Sequence, residues 1–153
     1  MTIDELLARE SIRHLIASYN IAGDSVRAEA LAAVFSDDAI YEFSAFGPLP
    51  AFRYEGSAAI RDSIAGWQGS GKPAVTPGRL TFLRHHITTC QIDLSGPDSA
   101  KARTYWMVYT DIGPDHCGTY NDQFRCVDGQ WLIAHRKIRL DWRSPQSLFP
   151  PID

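Results

Sequence analysis

Apolar positions in the first part of the chain recur every three to four residues, and from Leu80 onward they recur every second residue. Leu6, Leu7, Ile12, Leu15, Ile16 and Tyr19 share one helical face. Thr2, with Glu5 three residues on, has the form of a capping box that opens this helix, and the helix should end near Gly23. A second, short helix would bury Val26, Ala30, Leu31, Val34 and Phe35. Residues 38–43 read as a strand, broken by Gly47, Pro48 and Pro50, with Phe52-Arg53-Tyr54 pairing back as a hairpin. Gly56-Ser57 starts a third helix through Ile60, Ile64 and Trp67. Residues 68–78 hold three Gly and two Pro and read as a loop.

The period-two region divides into strands over 80–94, 100–112, 116–127 and 130–142. Ser95-Gly96-Pro97-Asp98, Gly113-Pro114-Asp115 and Asp128-Gly129 separate them. The last dipeptide is a strong two-residue turn signal, because both central residues of a type I′ turn take positive φ. Helices first and a strand meander afterwards is an α+β order, not a βαβ repeat. Strands this long curve as their sheet twists. The expected architecture is therefore a curved antiparallel β-sheet, a cone-like half-barrel closed by three N-terminal helices around an apolar pocket. Residues 1–143 form a single domain, and 144–153 are a Pro-rich tail on the surface.

Composition narrows the picture only modestly. The 153 residues carry 15 Lys and Arg against 18 Asp and Glu, for a net charge of -3, with no basic stripe. Nucleic acid is therefore not expected as a partner. No apolar run is long enough for a membrane span, and the N-terminus lacks the order of a signal peptide. The three cysteines, Cys90, Cys117 and Cys126, are odd in number and lack metal spacing, so they read as reduced thiols in a cytoplasmic protein.

Candidate chemistry is sparse. Asp24 sits in the break after the first helix, where an ordinary turn or N-cap role would account for it. His85 and His86 are adjacent in a strand and must point to opposite faces, so they cannot hold one metal ion together. Tyr41, Tyr105, Trp106, Tyr109, Tyr120 and Trp131 are strand aromatics, some with polar ends that could reach a cavity. Arg136, Lys137 and Arg139 read as a solvated strand edge. Gly66–Lys72 has the outline of a phosphate loop, but Pro73 replaces the magnesium-binding hydroxyl and the flanking strand and helix are missing.

The segments Tyr19-Asn20-Ile21-Ala22-Gly23-Asp24, Phe35-Ser36-Asp37-Asp38-Ala39 and Arg84-His85-His86-Ile87-Thr88-Thr89 resemble the SnoaL-like family of the nuclear-transport-factor-2-like superfamily. Gly118-Thr119-Tyr120 and Asp128-Gly129-Gln130-Trp131 extend the resemblance to nearly the whole chain. Its scytalone dehydratase and hexachlorocyclohexane dehydrochlorinase branches look closest. That resemblance implies Asp24 and His85 as the catalytic pair, His85 being the base and Asp24 its orienting carboxylate. It further implies a substrate cavity reached by Tyr19, Tyr41, Phe43, Ile87, Thr89, Tyr105 and Tyr120. The implied substrate is a small hydrophobic cyclic compound, and the reaction a dehydration, dehydrohalogenation, isomerisation or cyclisation without cofactor or metal. Two departures stand out: the dehydratase's second histidine has no counterpart near residues 107–109, and Thr89 and Tyr19 replace an Asn and a cationic residue of the dehydrochlorinase. The resemblance also implies a homodimer or homotrimer, with Trp106 or Trp142 exposed on the convex face for such contacts. The rival expectation is a non-catalytic binding module, similar to the small subunit of a ring-hydroxylating dioxygenase.

Overall fold

The structure is a computed structural model that describes residues 1–69 and 81–147. Most of the loop expected over 68–78, and Leu148 onward in the tail, lie outside the described residues. Helix α1 spans Ile3–Asp24 and opens on the expected capping box. The Glu5 backbone N–H donates to Thr2 Oγ1, and the Thr2 backbone N–H donates to Glu5. Its buried side chains are Ile12, Leu15, Ile16, Tyr19, Asn20 and Ala22, a single stripe at helical spacing. Helix α2 (Ala28–Ala32) and helix α3 (Ser57–Gly69) follow the expected order.

The strands are β1 (Phe35–Phe43), β2 (Phe52–Glu55), β3 (Arg84–Leu94), β4 (Ser99–Thr110), β5 (Gly113–Val127) and β6 (Gln130–Arg143). They form a six-stranded sheet in the order β2-β1-β6-β5-β4-β3. Four neighbouring pairs are antiparallel, as expected, and β1 against β6 is parallel. No hairpin joins these two strands, so no turn forces them to run in opposite directions. Asp128 and Gly129 both take positive φ (50° and 81°) at the β5–β6 hairpin, as the turn chemistry requires. The β4–β5 turn falls at Asp111-Ile112, and Gly113-Pro114-Asp115 belongs to β5.

Irregular pairings shape the sheet next to the future site. Between β3 and β4 the register shifts between Ile87 and Cys90. Between β4 and β5 it shifts after Val108, so that Val108 opposes His116, Tyr109 opposes Pro114, and Asp115 is the extra residue of a bulge. A third shift falls between Cys117 and Gly118 against β6. Each bulge bends its strand and raises the local twist. The side chains of Ile12, Ile16 and Leu15 from α1, Ile60 and Ile64 from α3, and Phe35, Ala39, Val108, Phe124 and Ile133 from the sheet meet in one buried core. Each such aliphatic side chain, fully buried, contributes roughly 1.5–3 kcal/mol.

Candidate functional site

Asp24 is the last residue of α1, and the chain reverses directly behind it. The Val26 N–H donates to the Gly23 carbonyl, the Arg27 N–H to the Ala22 carbonyl, and Val26 takes φ 50. For a β-branched residue that left-handed conformation costs about 1–2 kcal/mol. A helix C-terminus is also an electrostatically poor place for a carboxylate. Nor does Asp24 act as a cap; instead, its carboxylate reaches β3. Oδ2 accepts the His85 backbone N–H at 3.0 Å, and Oδ1 lies 2.5 Å from His85 Nδ1. Two elements 61 residues apart are thus joined by one carboxylate. Because an ionised carboxylate only accepts, Nδ1 carries the proton and the neutral ring keeps its lone pair on Nε2. The His85 side chain is 20% exposed and the Asp24 side chain 10%, so the pair sits at a partly open position and not in the core.

The inward face of the sheet around His85 is largely apolar. His85 pairs with Val108, which is fully buried, and Ile87 pairs with Trp106. The Trp106 indole lies 5.8 Å from the His85 ring and stacks on Tyr120 at 5.4 Å and 24°. Beyond Tyr120 comes Arg136, whose guanidinium is held 4.2 Å from the Tyr120 ring and 4.0 Å from the Tyr19 ring. Asp122 accepts from Arg136 Nε and Nη2 at 2.9 and 2.7 Å. Burial works against the Arg136 charge, yet the Asp122 carboxylate more than offsets it and holds the guanidinium above its ordinary value. Arg136 is therefore not part of a solvated edge: it is fully buried because it faces inward, opposite Asp122. Trp106, expected on the convex surface, is likewise buried, at 4% exposure.

The tyrosines of the interior are donors and not bases. Tyr19 and Tyr41 share a hydrogen bond at 2.8 Å, and the Tyr120 hydroxyl donates to Asn20 Oδ1 at 3.2 Å. Burial pushes Tyr41 and Tyr120 well above the ordinary tyrosine value, and Tyr19 above it as well. Two buried donors, Trp106 Nε1 and Arg136 Nη1, make no hydrogen bond among the described residues.

The structure brings Tyr19, Tyr41, Ile87 and Tyr120 to the inner face that carries His85. Phe43 lies farther out on β1, half-buried and stacked on Phe52 at 5.6 Å. Thr89 is exposed within the β3 irregularity and Tyr105 is 44% exposed on the outer face, so neither is brought to His85. Tyr105 instead borders an outer-face cavity of ≈ 390 Å³ together with Arg103, Met107, Thr119 and Arg139. A second cavity, of ≈ 380 Å³, lies between Glu42, Phe52 and Lys137. Neither is lined by Asp24 or His85. His86 points away from the site and meets Tyr109 edge-on at 5.0 Å. Among the described residues no three His, Cys, Asp or Glu side chains cluster as metal ligands, and no helix is long and apolar enough to cross a membrane.

Reading the sequence passed over one further group. His116 Nδ1 lies 2.6 Å from Asp115 Oδ1, and both residues are buried. Adjacent strand residues ordinarily face opposite ways; here the bulge turns Asp115 toward its neighbour. Pro114 inside a strand was the one local sign of that irregularity.

A helix-covered, open mixed sheet with a carboxylate–imidazole pair between the first helix and the third strand defines a class of small α+β domains built around a partly enclosed site. Residues 4–137 match the model of the SnoaL-like domain, and the chain belongs to that family. Among solved structures, a candidate scytalone dehydratase from Novosphingobium aromaticivorans is 23% identical, with 94% of this chain and 91% of that one covered and a TM-score of 0.74. Hexachlorocyclohexane dehydrochlorinase LinA-type3 from Novosphingobium barchaimii is 18% identical over 97% and 99% of the two chains, with a TM-score of 0.72. The β subunit of a candidate aromatic-ring-hydroxylating dioxygenase from N. aromaticivorans is 19% identical over 94% and 95%, with a TM-score of 0.73. These likenesses show the nuclear-transport-factor-2-like, cystatin-like fold. No curated protein matches the sequence.

Proposed function

We propose that the protein is a lyase- or isomerase-type enzyme in which His85, oriented by Asp24, is the general base acting on a small hydrophobic cyclic substrate. The observation that carries this reading is the double grip of the Asp24 carboxylate on the His85 ring and backbone. With Nδ1–H committed to Asp24, Nε2 takes a proton from a carbon next to an electron-withdrawing group. The new imidazolium charge sits against the carboxylate. The electron pair released from the C–H bond then expels a leaving group, or is reprotonated at another carbon, giving elimination or isomerisation. A positioned base contributes about 10²–10⁴-fold. The remainder must come from orientation and from donors that meet developing negative charge, for which the one O–H that the Tyr19–Tyr41 pair leaves over and the Trp106 and Arg136 N–H groups are suited. Val108, Ile87 and Trp106 beside His85 favour an apolar ring over a charged metabolite.

The test is deuterium wash-in from D2O at the carbon next to the carbonyl of a panel of cyclic ketones, alongside elimination from hydroxylated and halogenated rings. The parent should catalyse at least one reaction, and His85→Ala should lose it by about 10²–10⁴-fold while keeping its circular dichroism. Ring ¹⁵N shifts should show an Nδ1–H tautomer for His85 in the parent and its loss in Asp24→Ala. Undiminished catalysis by His85→Ala ends the proposal.

A second reading, a subunit that docks through its sheet, is favoured by Tyr105, Tyr109 and Trp142, each more than a third exposed. A homodimer or homotrimer that turns over a ring substrate supports the enzyme. Assembly only with a larger oxygenase chain, without turnover, supports the subunit.

A further inference from the structure

Two carboxylate–imidazole pairs face one indole. His85 on β3, Val108 on β4 and His116 on β5 stand in register, one beside the next, on the inward face of the sheet. The two histidines are thus two strands apart, roughly 10 Å between backbones. Trp106 fills the space between them, 5.8 Å from the His85 ring and 5.7 Å from the His116 ring, the latter edge-on at 79°. Both imidazoles direct Nδ1 at a carboxylate, Asp24 in one case and Asp115 in the other. A bulge is needed to aim Asp115 at all. Its carboxylate is then fully engaged: Thr110 Oγ1 donates at 2.9 Å and Ser147 Oγ at 2.5 Å, while its backbone carbonyl accepts the Ser144 N–H at 2.7 Å. These bonds fix in place the carboxylate that His116 Nδ1 meets.

We propose that Asp115–His116 is a second carboxylate–imidazole pair of the site that holds Asp24–His85, a positioning pair that fixes Trp106 between the two rings and limits the two imidazoles to one imidazolium between them. The proposal rests on the reading of His85 as the base. When His85 takes a proton, a second imidazolium across Trp106 would repel it, and a neutral His116 does not. The groups that bear on His116 support this. Burial pushes it below the ordinary histidine value. Asp115 pulls it up, and His85 from β3 and Arg143 from β6 push it down again. His116 is thereby held toward its neutral form, with the His85 ring among the charges that push it down.

The experiment is a ¹⁵N–¹H titration of all imidazole rings in the parent, in His85→Gln and in Asp24→Ala. In the parent, His116 titrates below the ordinary histidine range, and the His85 ring resonances move again as His116 takes its proton. In His85→Gln, the His116 midpoint moves upward because an opposing charge is gone. An identical His116 midpoint in the two proteins, with His85 silent through the His116 transition, overturns the proposal. The parent measurement needs no variant, so misfolding cannot excuse a negative result. The two readings fail separately: a His85 tautomer indifferent to Asp24→Ala sinks the general base, whereas a His116 indifferent to His85 sinks only the second pair. His116→Asn, which keeps an N–H for Asp115 but removes the ring and the charge, should also alter the pH profile of deuterium wash-in. An unchanged profile would reduce His116 to a structural residue.

Discussion

Asp122→Ala takes away the carboxylate that accepts from both Nε and Nη2 of Arg136 and leaves the guanidinium where it was, fully buried between the rings of Tyr19 and Tyr120. The two rings go on attracting the cation, with about 2 kcal/mol for a desolvated contact. They do not replace the carboxylate, and Nη1 already lacks a partner among the described residues. Breaking a buried pair from one side costs about 3–5 kcal/mol, a large share of the roughly 5–15 kcal/mol that holds a domain folded. With a urea m-value of about 2 kcal/mol/M, the midpoint should fall by roughly 1.5–2.5 M. Asp38→Ala is the internal control. Asp38 also bonds an arginine, Arg125, at 3.0 Å, but the two side chains are 65% and 49% exposed, so that pair is worth about 0–1 kcal/mol. The double variant Asp122→Leu, Arg136→Met removes both charges and should recover much of the loss, because no uncompensated charge remains. Chemical denaturation followed by tryptophan fluorescence and by circular dichroism measures all four proteins. If Asp122→Ala shifts the midpoint no more than Asp38→Ala does, the buried-pair argument is wrong.

Three further outcomes follow from particular contacts. Because the native His116 value lies below the ordinary 6.5, the unfolded chain takes up this proton first on acidification. Stability is full above about pH 6.5 and falls as the pH drops toward the native value. Thermal melts from pH 7.5 to 5 should show that fall in the parent and a shallower one in His116→Asn; equal slopes would contradict it. At Gly118, an added Cβ would run into the Arg139 carbonyl oxygen and lie 2.7 Å from Trp106 Cζ2. Gly118→Ala should therefore cost at least about 1–3 kcal/mol and perturb the indole, read by denaturation and near-ultraviolet circular dichroism. Thr2→Ala removes one half of the capping box and should cost about 0.5–2 kcal/mol with the site untouched, a melt with no change in wash-in rate being the check.

How much of this was legible in the sequence differs element by element. Most helices and strands announced themselves through periodicity, since burying a face of fixed period is what makes the element stable, but α2 is only Ala28–Ala32, with Ala30 exposed and Phe35 already in β1. Asp128-Gly129 located its hairpin because few residues tolerate two successive positive φ angles. Direction of pairing was harder: nothing local says that β1 lies parallel to β6, because the rest of the chain connects them. The Asp24–His85 contact spans 61 residues and leaves no spacing signal. Family resemblance pointed to that pair; periodicity could not.

The misread residues have a common cause, which is also why they matter. Counting outward from a two-residue turn at Asp128-Gly129 matches Phe124 with Ile133, as observed, and would match Asp122 with His135. A bulge after Gln123 slips the register by one, so Asp122 faces Arg136 and an apparent surface cation becomes a fully buried charge of the core. The same event at Asp115 turns a strand carboxylate toward its own neighbour, and a third, beside Gly118, leaves that glycine closely flanked by the Arg139 carbonyl of β6 and the Trp106 ring. A bulge gives up ladder hydrogen bonds and leaves a residue unpaired, so sheets retain one where re-aiming a side chain is worth the loss. Here the re-aimed groups are Arg136, Asp115 and the wall at Trp106, all on the face that carries His85. Pattern reading fails wherever the pleat is interrupted, and in this sheet those interruptions surround the candidate site.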